Sequence, residues 1–243
     1  KFSKHKKIDG SKIHRHDIEF LLREAKKQLI LNDKDQSIIH IFNHNYIVDG
    51  KIFMEEPIDV FADSLSHEMT FITVPKNNLK NINQVFIDCD IEIERLISHT
   101  FTLGVKLLNV RELQLGSALI NLGYKKISLG LFKNLALVHS VTLPIGTDHI
   151  TNDISKVCSL NLDETKIIRN NIDFSFKNNQ NLFDENNFLK KNFFIDSKFR
   201  KMSKSLIFKV IKARVDEIFG MIKKQLSLPG FDFNSEINIF LTG

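Results

Sequence analysis

Between Ser117 and Leu143 the chain alternates short apolar runs with two tight breaks. Ser117 to Leu122 and Ile127 to Phe132 are separated by Gly123-Tyr124-Lys125-Lys126, and Lys133-Asn134 precedes a third run from Leu135 to Leu143. Apolar runs of this length bounded by turn residues predict strands, and the short connections make them antiparallel neighbours. Pro144-Ile145-Gly146 then breaks the chain, and Thr147 or Asp148 caps a helix predicted to about Lys156.

The same reading extends in both directions. Residues 1–12 are basic and read as a frayed remnant of a strand and loop. A helix opens at His16-Asp17, capped by Asp17, with Ile18, Leu21, Leu22, Ala25 and Leu29 as its apolar face. Ser37 to Val48 predicts a strand bent at Asn43-His44-Asn45, and Asp49-Gly50 predicts a hairpin turn. After a loop at Pro57-Ile58-Asp59, Met69 to Val74 predicts another strand. Further elements follow as a helix from Asn78 to about Asp88, a strand over Ile91 to Ser98 and a helix over Phe101 to Leu108. Asp88, Asp90, Glu92 and Glu94 alternate with Cys89, Ile91 and Ile93, the period of an edge segment with one solvated side. Leu162 to Arg169 predicts a helix, Phe174 to Phe176 a strand, and Ser203 caps a long helix ending near Leu226 before Pro229-Gly230. Ile207, Val210, Ile211, Ile218, Phe219 and Ile222 form its apolar stripe, and Ile237 to Leu241 predicts a last strand.

Composition narrows the function classes. With 42% hydrophobic and 26% charged residues over 243 positions, the chain is globular and long enough for two cores. Two cysteines, Cys89 and Cys158, make neither a disulfide framework nor a metal motif and suit a reducing cytosol. His40 and His44 have helical zinc spacing but lie in a strand-like run, where positions four apart are about 13 Å from each other. The net charge of +5 admits anionic partners. The lysines are scattered, however, and no basic motif interleaved with aromatics points to nucleic acid. The first residue is not Met and no apolar leader follows it, so the expectation is a piece of a longer chain.

Two motifs carry a resemblance. Leu143-Pro144-Ile145-Gly146-Thr147-Asp148-His149-Ile150-Thr151-Asn152-Asp153-Ile154 resembles the Pro-(Val/Ile)-Gly-Gly-(Asp/Asn)-x-(Ile/Val)-Thr-x-Asp-Ile signature of the bacterial FtsA family, within the actin-like ATPase superfamily. Met202-Ser203-Lys204-Ser205 through Ile211-Lys212-Ala213-Arg214-Val215-Asp216-Glu217-Ile218-Phe219 is similar to that family's Ile-Ser-Arg-Ser…Ile-Arg-Pro-Arg-x-Glu-Glu-Ile-Phe helix. Tyr46-Ile47-Val48-Asp49-Gly50 and Glu56-Pro57-Ile58 resemble phrases of its inserted α+β subdomain. The hairpin departs from the pattern. Where the family has (hydrophobic)-Asp-(hydrophobic)-Gly-Gly-Gly-Thr-Thr, this chain reads Ile120-Asn121-Leu122-Gly123-Tyr124-Lys125-Lys126-Ile127.

The resemblance implies an α/β, actin-like (ribonuclease H-like) two-lobed fold with an inserted small α+β subdomain. It divides the chain into a first-lobe remnant (1–12), the insert (13–78), the first-lobe return (79–112), a second-lobe sheet domain (113–156), an excursion (157–236) and the sheet return (237–243). It implies ATP with Mg²⁺ as cofactor, with Asn121, Gly123, Lys125, Gly146, Asp163, Glu164, Arg169 and Gly243 at nucleotide-contacting positions. The amide at Asn121 and the loss of two glycines and two threonines imply weak or no hydrolysis. As partners it implies the C-terminal peptide of the tubulin-like protein FtsZ, met by Lys201, Lys204, Lys212 and Arg214, together with further copies in filaments and other division proteins. It also implies attachment to the cytoplasmic face of the inner membrane at the division site, through an amphipathic C-terminal helix absent from this chain. The alternatives are a nucleotide-hydrolysing switch and a pilus-assembly scaffold of the PilM type.

Overall fold

The structure is a computed structural model that describes residues 2–173, 179–195, 200–227 and 237–243. Two compact units emerge, one of Lys1–Ile120, Leu129–Val141 and Glu236–Leu241, the other of Asn121–Ser128, Thr142–Ser235 and Thr242–Gly243.

The first unit opens with β1 (Phe2–Lys12), α1 (Arg15–Asn32), β2 (Gln36–Val48), β3 (Lys51–Phe53) and β4 (Phe61–Pro75). These strands form an antiparallel sheet in the order β1-β4-β2-β3. Asp49 and Gly50 both adopt positive φ (47° and 80°), the mirror-image turn that matches strand twist and closes the β2–β3 hairpin. The register of β2 against β4 shifts between Ile38 and His40 and again between Asn43 and Asn45, the second where a bend is expected. Helix α1 starts at Arg15. Asp17 is its third residue, not its cap, and completes a capping box by accepting from the His14 N–H at 2.8 Å. Ile18, Leu21, Ala25 and Leu29 are buried, as the periodicity predicts. Ile18 and Leu21 pack with Tyr46, Val48 and Leu65, and Ala25 and Leu29 with Met69 and Phe71.

Two differences from the sequence reading have plain causes. Residues 2–12 are an ordered strand, because β1 pairs with β4 from Phe2↔Met69 to Lys12↔Phe61. Its lysines mask a strand pattern in the way that edge strands carry charge. Residues 91–98, read as a strand, belong to no strand or ladder among the described residues. A β pattern without a neighbouring backbone does not make a strand.

Helices α2 (Lys76–Ile87), α3 (His99–Leu107) and α4 (Val110–Leu115) lead to a second sheet. It contains β5 (Ser117–Leu122), β6 (Ile127–Lys133), β7 (Ala136–Leu143) and β8 (Asn238–Thr242), in the order β7-β6-β5-β8. The last strand therefore lies beside the β5–β6 hairpin, as expected. Leu135 sits in the turn with φ 62°, so β7 begins one residue later than the apolar run. Leu119, Phe132 and Leu137 pack with Leu108 and Leu113. Gly104 permits this, since a Cβ there would lie 2.0 Å from the Phe132 ring.

The second unit carries α5 (Asp148–Cys158), α6 (Leu162–Asn171), a 3-10 turn at Lys191–Phe193 and α7 (Lys204–Leu226). Ile150, Ile154 and Cys158 of α5 share one core with Ile168, Leu182, Phe183, Ile207 and Ile211. Ser203 caps α7 by accepting from the Leu206 N–H at 3.3 Å. Of the predicted stripe on α7, Ile207, Ile211, Ile218 and Ile222 are buried and Val210 is partly so, while Phe219 is half exposed. The strand expected at Phe174 to Phe176 and the stop at Pro229-Gly230 lie outside the described residues.

Candidate functional site

The second unit holds both groups of predicted site residues. The first surrounds the turn between β5 and β6. Its carbonyls face the start of α5, where Gly123 O accepts from the Thr147 N–H at 3.1 Å and Tyr124 O from the Asp148 N–H at 2.8 Å. The Gly146 N–H donates to His149 Nδ1 at 3.2 Å, and the His149 N–H to Gly146 O at 3.1 Å. A helix start ordinarily leaves its first N–H groups open for an anion. At α5 those donors are already taken by the chain itself.

Glycine is required for this approach. A Cβ at Gly146 would stand 2.3 Å from Tyr124 O and 2.6 Å from Gly123 O, and one at Gly123 would stand 2.6 Å from Lys126 O. Gly243 comes as close to β5, with a Cβ 2.5 Å from Leu122 O. Three of the predicted nucleotide glycines thus serve contacts between backbone segments. The Tyr124 hydroxyl bonds to Asp148, which raises its pKa, and Arg169 stands 5.9 Å over the Tyr124 ring. Lys125 is exposed on the turn and Asn121 lies half-buried near the end of β5.

The α6 residues divide. Glu164 is buried and its carboxylate is used within the fold, with one oxygen accepting from the Asn161 N–H at 3.0 Å and the other from the Ile195 N–H at 2.6 Å. Asp163 is exposed and pairs with Lys166 at 3.3 Å. Of the three, Arg169 reaches the turn, through Tyr124. No group of three metal-binding side chains occurs among the described residues. The start of α5 offers no open anion site, because Thr147, Asp148 and His149 donate within the chain and Gly123 and Gly146 face backbone oxygens.

The second group lies along α7. Arg214 binds Asp153 of α5 in a fork, Nε to Oδ2 at 2.5 Å and Nη2 to Oδ1 at 2.9 Å, and donates from Nη1 to Glu217 at 2.6 Å. These carboxylates, Asp153 first, raise the guanidinium pKa further above its ordinary value. The pair is about four-fifths shielded from solvent. Around it runs an open groove of about 330 Å³ between α5 and α7, with Val157, Val210 and Ala213 as apolar lining and Lys209 among its polar residues. Lys212 is exposed on α7. Lys204 lies over Phe183 and Phe208 at 5.8 and 5.6 Å, and Lys201 over Phe188 at 5.9 Å. Of the four predicted cations, only Arg214 lines the groove. Lys209 and Asp153 were not expected there. Asp153 and Arg214 are 61 residues apart, and no local signal joins them.

Comparison with known proteins places the chain. Residues 1–73 match the family described as the SHS2 domain inserted in FTSA. The chain is 21% identical over 236 residues to the cell division protein FtsA of Agrobacterium fabrum, covering 97% of this chain and 53% of that protein. It is 23% identical to FtsA of Pseudomonas aeruginosa, covering 97% and 55%. The chain thus spans about half the length of the curated relatives it matches. Among solved structures, a PilM–PilN type IV pilus biogenesis complex aligns over 100% of this chain and 59% of that one, with a TM-score of 0.55 and 11% identity. MreB5 of Spiroplasma citri bound to AMPPNP aligns over 69% and 54%, with a TM-score of 0.50 and 15% identity. Both likenesses concern the fold, which is α/β and actin-like. No helix among the described residues is long and apolar enough to cross a membrane.

Proposed function

We propose that this chain, which is similar over 97% of its length to FtsA cell-division proteins, serves division as an adaptor whose α5–α7 groove docks the C-terminal peptide of FtsZ. In this reading it links FtsZ polymers to the cytoplasmic face of the membrane, associates with further copies of itself and recruits later division proteins. None of these tasks needs a bond to be broken.

The observation that carries the proposal is the docking of the β5–β6 turn onto α5. An ATP-driven switch needs backbone N–H groups facing the phosphates. Here Thr147 and Asp148 donate to Gly123 and Tyr124 instead. Losing two charge-assisted hydrogen bonds costs about 3–6 kcal/mol, or two to four decades in affinity. The groove supplies what an adaptor requires, an open apolar lining with Lys209 beside it.

A labelled FtsZ C-terminal peptide titrated into the protein tests the proposal. Saturable binding, abolished by Val157→Glu on the half-exposed lining of the groove, is the expected result. Equal affinity in wild type and Val157→Glu would move the partner elsewhere. The second reading, a nucleotide-dependent switch, is favoured by the exposed Lys125 and Lys126 on the turn, which can meet a phosphate as point charges. Micromolar ATP binding lost in Lys125→Ala would select it.

A further inference from the structure

We propose that the apolar side of α2 and the acidic segment that follows it form a docking surface for a basic amphipathic helix of a partner protein. The surface lies in the first unit, so it involves neither the α5–α7 groove nor the β5–β6 turn and stands or falls independently of the reading above.

Helix α2 buries none of its twelve residues. Leu79, Ile82, Phe86 and Ile87 recur at helical spacing and share one side. Ile82, Phe86 and Ile87 are nevertheless 43%, 40% and 60% exposed. A helix in a folded unit is ordinarily held by the apolar stripe it buries, and this one presents its stripe to solvent. Where the stripe ends, an open groove of about 550 Å³ is lined by Asn83, Ile87, Asp90, Ile91, Glu92 and Ile93. The lining holds three isoleucines, two carboxylates and no cation.

The charge around the groove has one sign, although the whole chain is +5. Asp88, Asp90, Glu92 and Glu94 make no ion pair among the described residues. Arg95, the next cation along the chain, lies close enough to His40 to act on its pKa and lines no part of the groove. These carboxylates follow the C-terminal end of α2, whose last turn has no basic residue. A helix carries partial negative charge at that end and favours cations there. The acids are thus repelled by the helix as well as by one another, and a Lys or Arg from outside relieves both. A metal ion would answer the charge alone, and no group of three side chains suited to one occurs among the described residues. An apolar stripe of helical period beside clustered carboxylates matches a helix that carries an apolar side flanked by Lys or Arg.

The probe is a labelled peptide of about 14 residues with Leu and Lys at helical spacing. Its controls are a scrambled peptide of the same composition and one with Glu in place of Lys. Fluorescence anisotropy is measured on wild type, Phe86→Ser, Asp90→Asn/Glu92→Gln, and Glu19→Gln/Glu24→Gln, which removes two acids from α1 instead. Helix content and sedimentation are recorded for each protein. The periodic basic peptide is expected to bind wild type, and about tenfold more weakly to Phe86→Ser and to Asp90→Asn/Glu92→Gln. The α1 variant keeps wild-type affinity, added salt weakens binding, and both control peptides bind at least about tenfold more weakly. Should Phe86→Ser lose helix content, the charge variant decides. Equal affinity across the folded proteins, or a scrambled peptide that binds as tightly as the periodic one, reduces the effect to bare charge attraction and overturns the proposal. Absence of binding to wild type overturns it too. A dimeric wild type that Phe86→Ser turns monomeric assigns the surface to a second copy and overturns the partner.

Discussion

Gly146→Ala tests the docking of the turn onto α5 at its tightest point. The new methyl group would stand 2.3 Å from Tyr124 O, 2.5 Å from Tyr124 C and 2.6 Å from Gly123 O. These are backbone atoms, so no side chain can rotate away. Either the turn or the start of α5 must shift by about 1 Å to restore ordinary contact. Such a shift breaks or stretches two hydrogen bonds, Thr147 N–H to Gly123 O and Asp148 N–H to Tyr124 O. Each contributes about 0.5–1.5 kcal/mol net, and the steric strain adds about 1–3 kcal/mol. The sum is about 2–6 kcal/mol, or a melting shift of roughly 5–20 °C for a chain of this size. Urea unfolding gives the total, and amide exchange at Thr147 and Asp148 reports on the contact directly. Faster exchange at those two amides, with the first unit unaffected, is the expected pattern. A variant with wild-type stability and unchanged protection at both amides would refute the docked turn, and with it the argument against a phosphate cradle.

Other expectations follow from single sites. Gly220→Ala, on α7 with no atom within 4 Å of the new Cβ, should raise stability by about 0.5–1 kcal/mol in urea unfolding. Arg214→Ala removes the fork to Asp153 and leaves two carboxylates without their cation, so its melting temperature should fall by an amount equivalent to about 1–3 kcal/mol. Unchanged melting would mean the pair is not held in solution. His67 is buried against the Tyr46 ring, neither ring nitrogen has a hydrogen-bond partner among the described residues, and burial pushes its pKa from 6.5 down to about 4. The unfolded chain therefore takes up the proton more readily. Stability is fully present above about pH 6.5 and is lost as pH falls toward 4, by up to about 3 kcal/mol. His67→Phe should remove that part of the acid sensitivity in melts between pH 7 and pH 4. Burial also lowers the pKa of His40 and of His139, so a residual slope of the same sign should remain in the variant.

What the sequence displays and what it hides follow from how local each interaction is. The β5, β6 and β7 strands are legible because turns bound each apolar run, and α1 because its core positions repeat along one face. The strand β1 is hidden because, as an edge strand, it carries just two apolar residues, Phe2 and Ile8, among polar and charged ones that include four lysines. The six-residue α4 is short enough to escape periodicity, although its Asn109–Glu112 capping box was a usable signal. At the site, the poverty of glycine in the turn is plain from the residues alone. That the surviving Gly123 and Gly146 hold backbone against backbone is a tertiary fact. So is the burial of Glu164, whose acidic helix-start position looks like a ligand-facing one until Ile195 is seen donating to it.

Helix α5 gives these separate observations a common frame. At its start, Thr147 and Asp148 donate to the carbonyls of the turn. Asp148 also receives the Tyr124 hydroxyl, whose ring lies under Arg169 of α6. One and a half turns farther on, Asp153 binds Arg214, and Val157 lines the groove. Ile150 and Ile154, on the buried side, fix the helix into the core of the second unit. An element tied at one end to the turn and along its length to the groove cannot move at one without stressing the other. The turn's own carbonyls hold the start of α5, so the contact at the turn and one wall of the groove are built on a single helix.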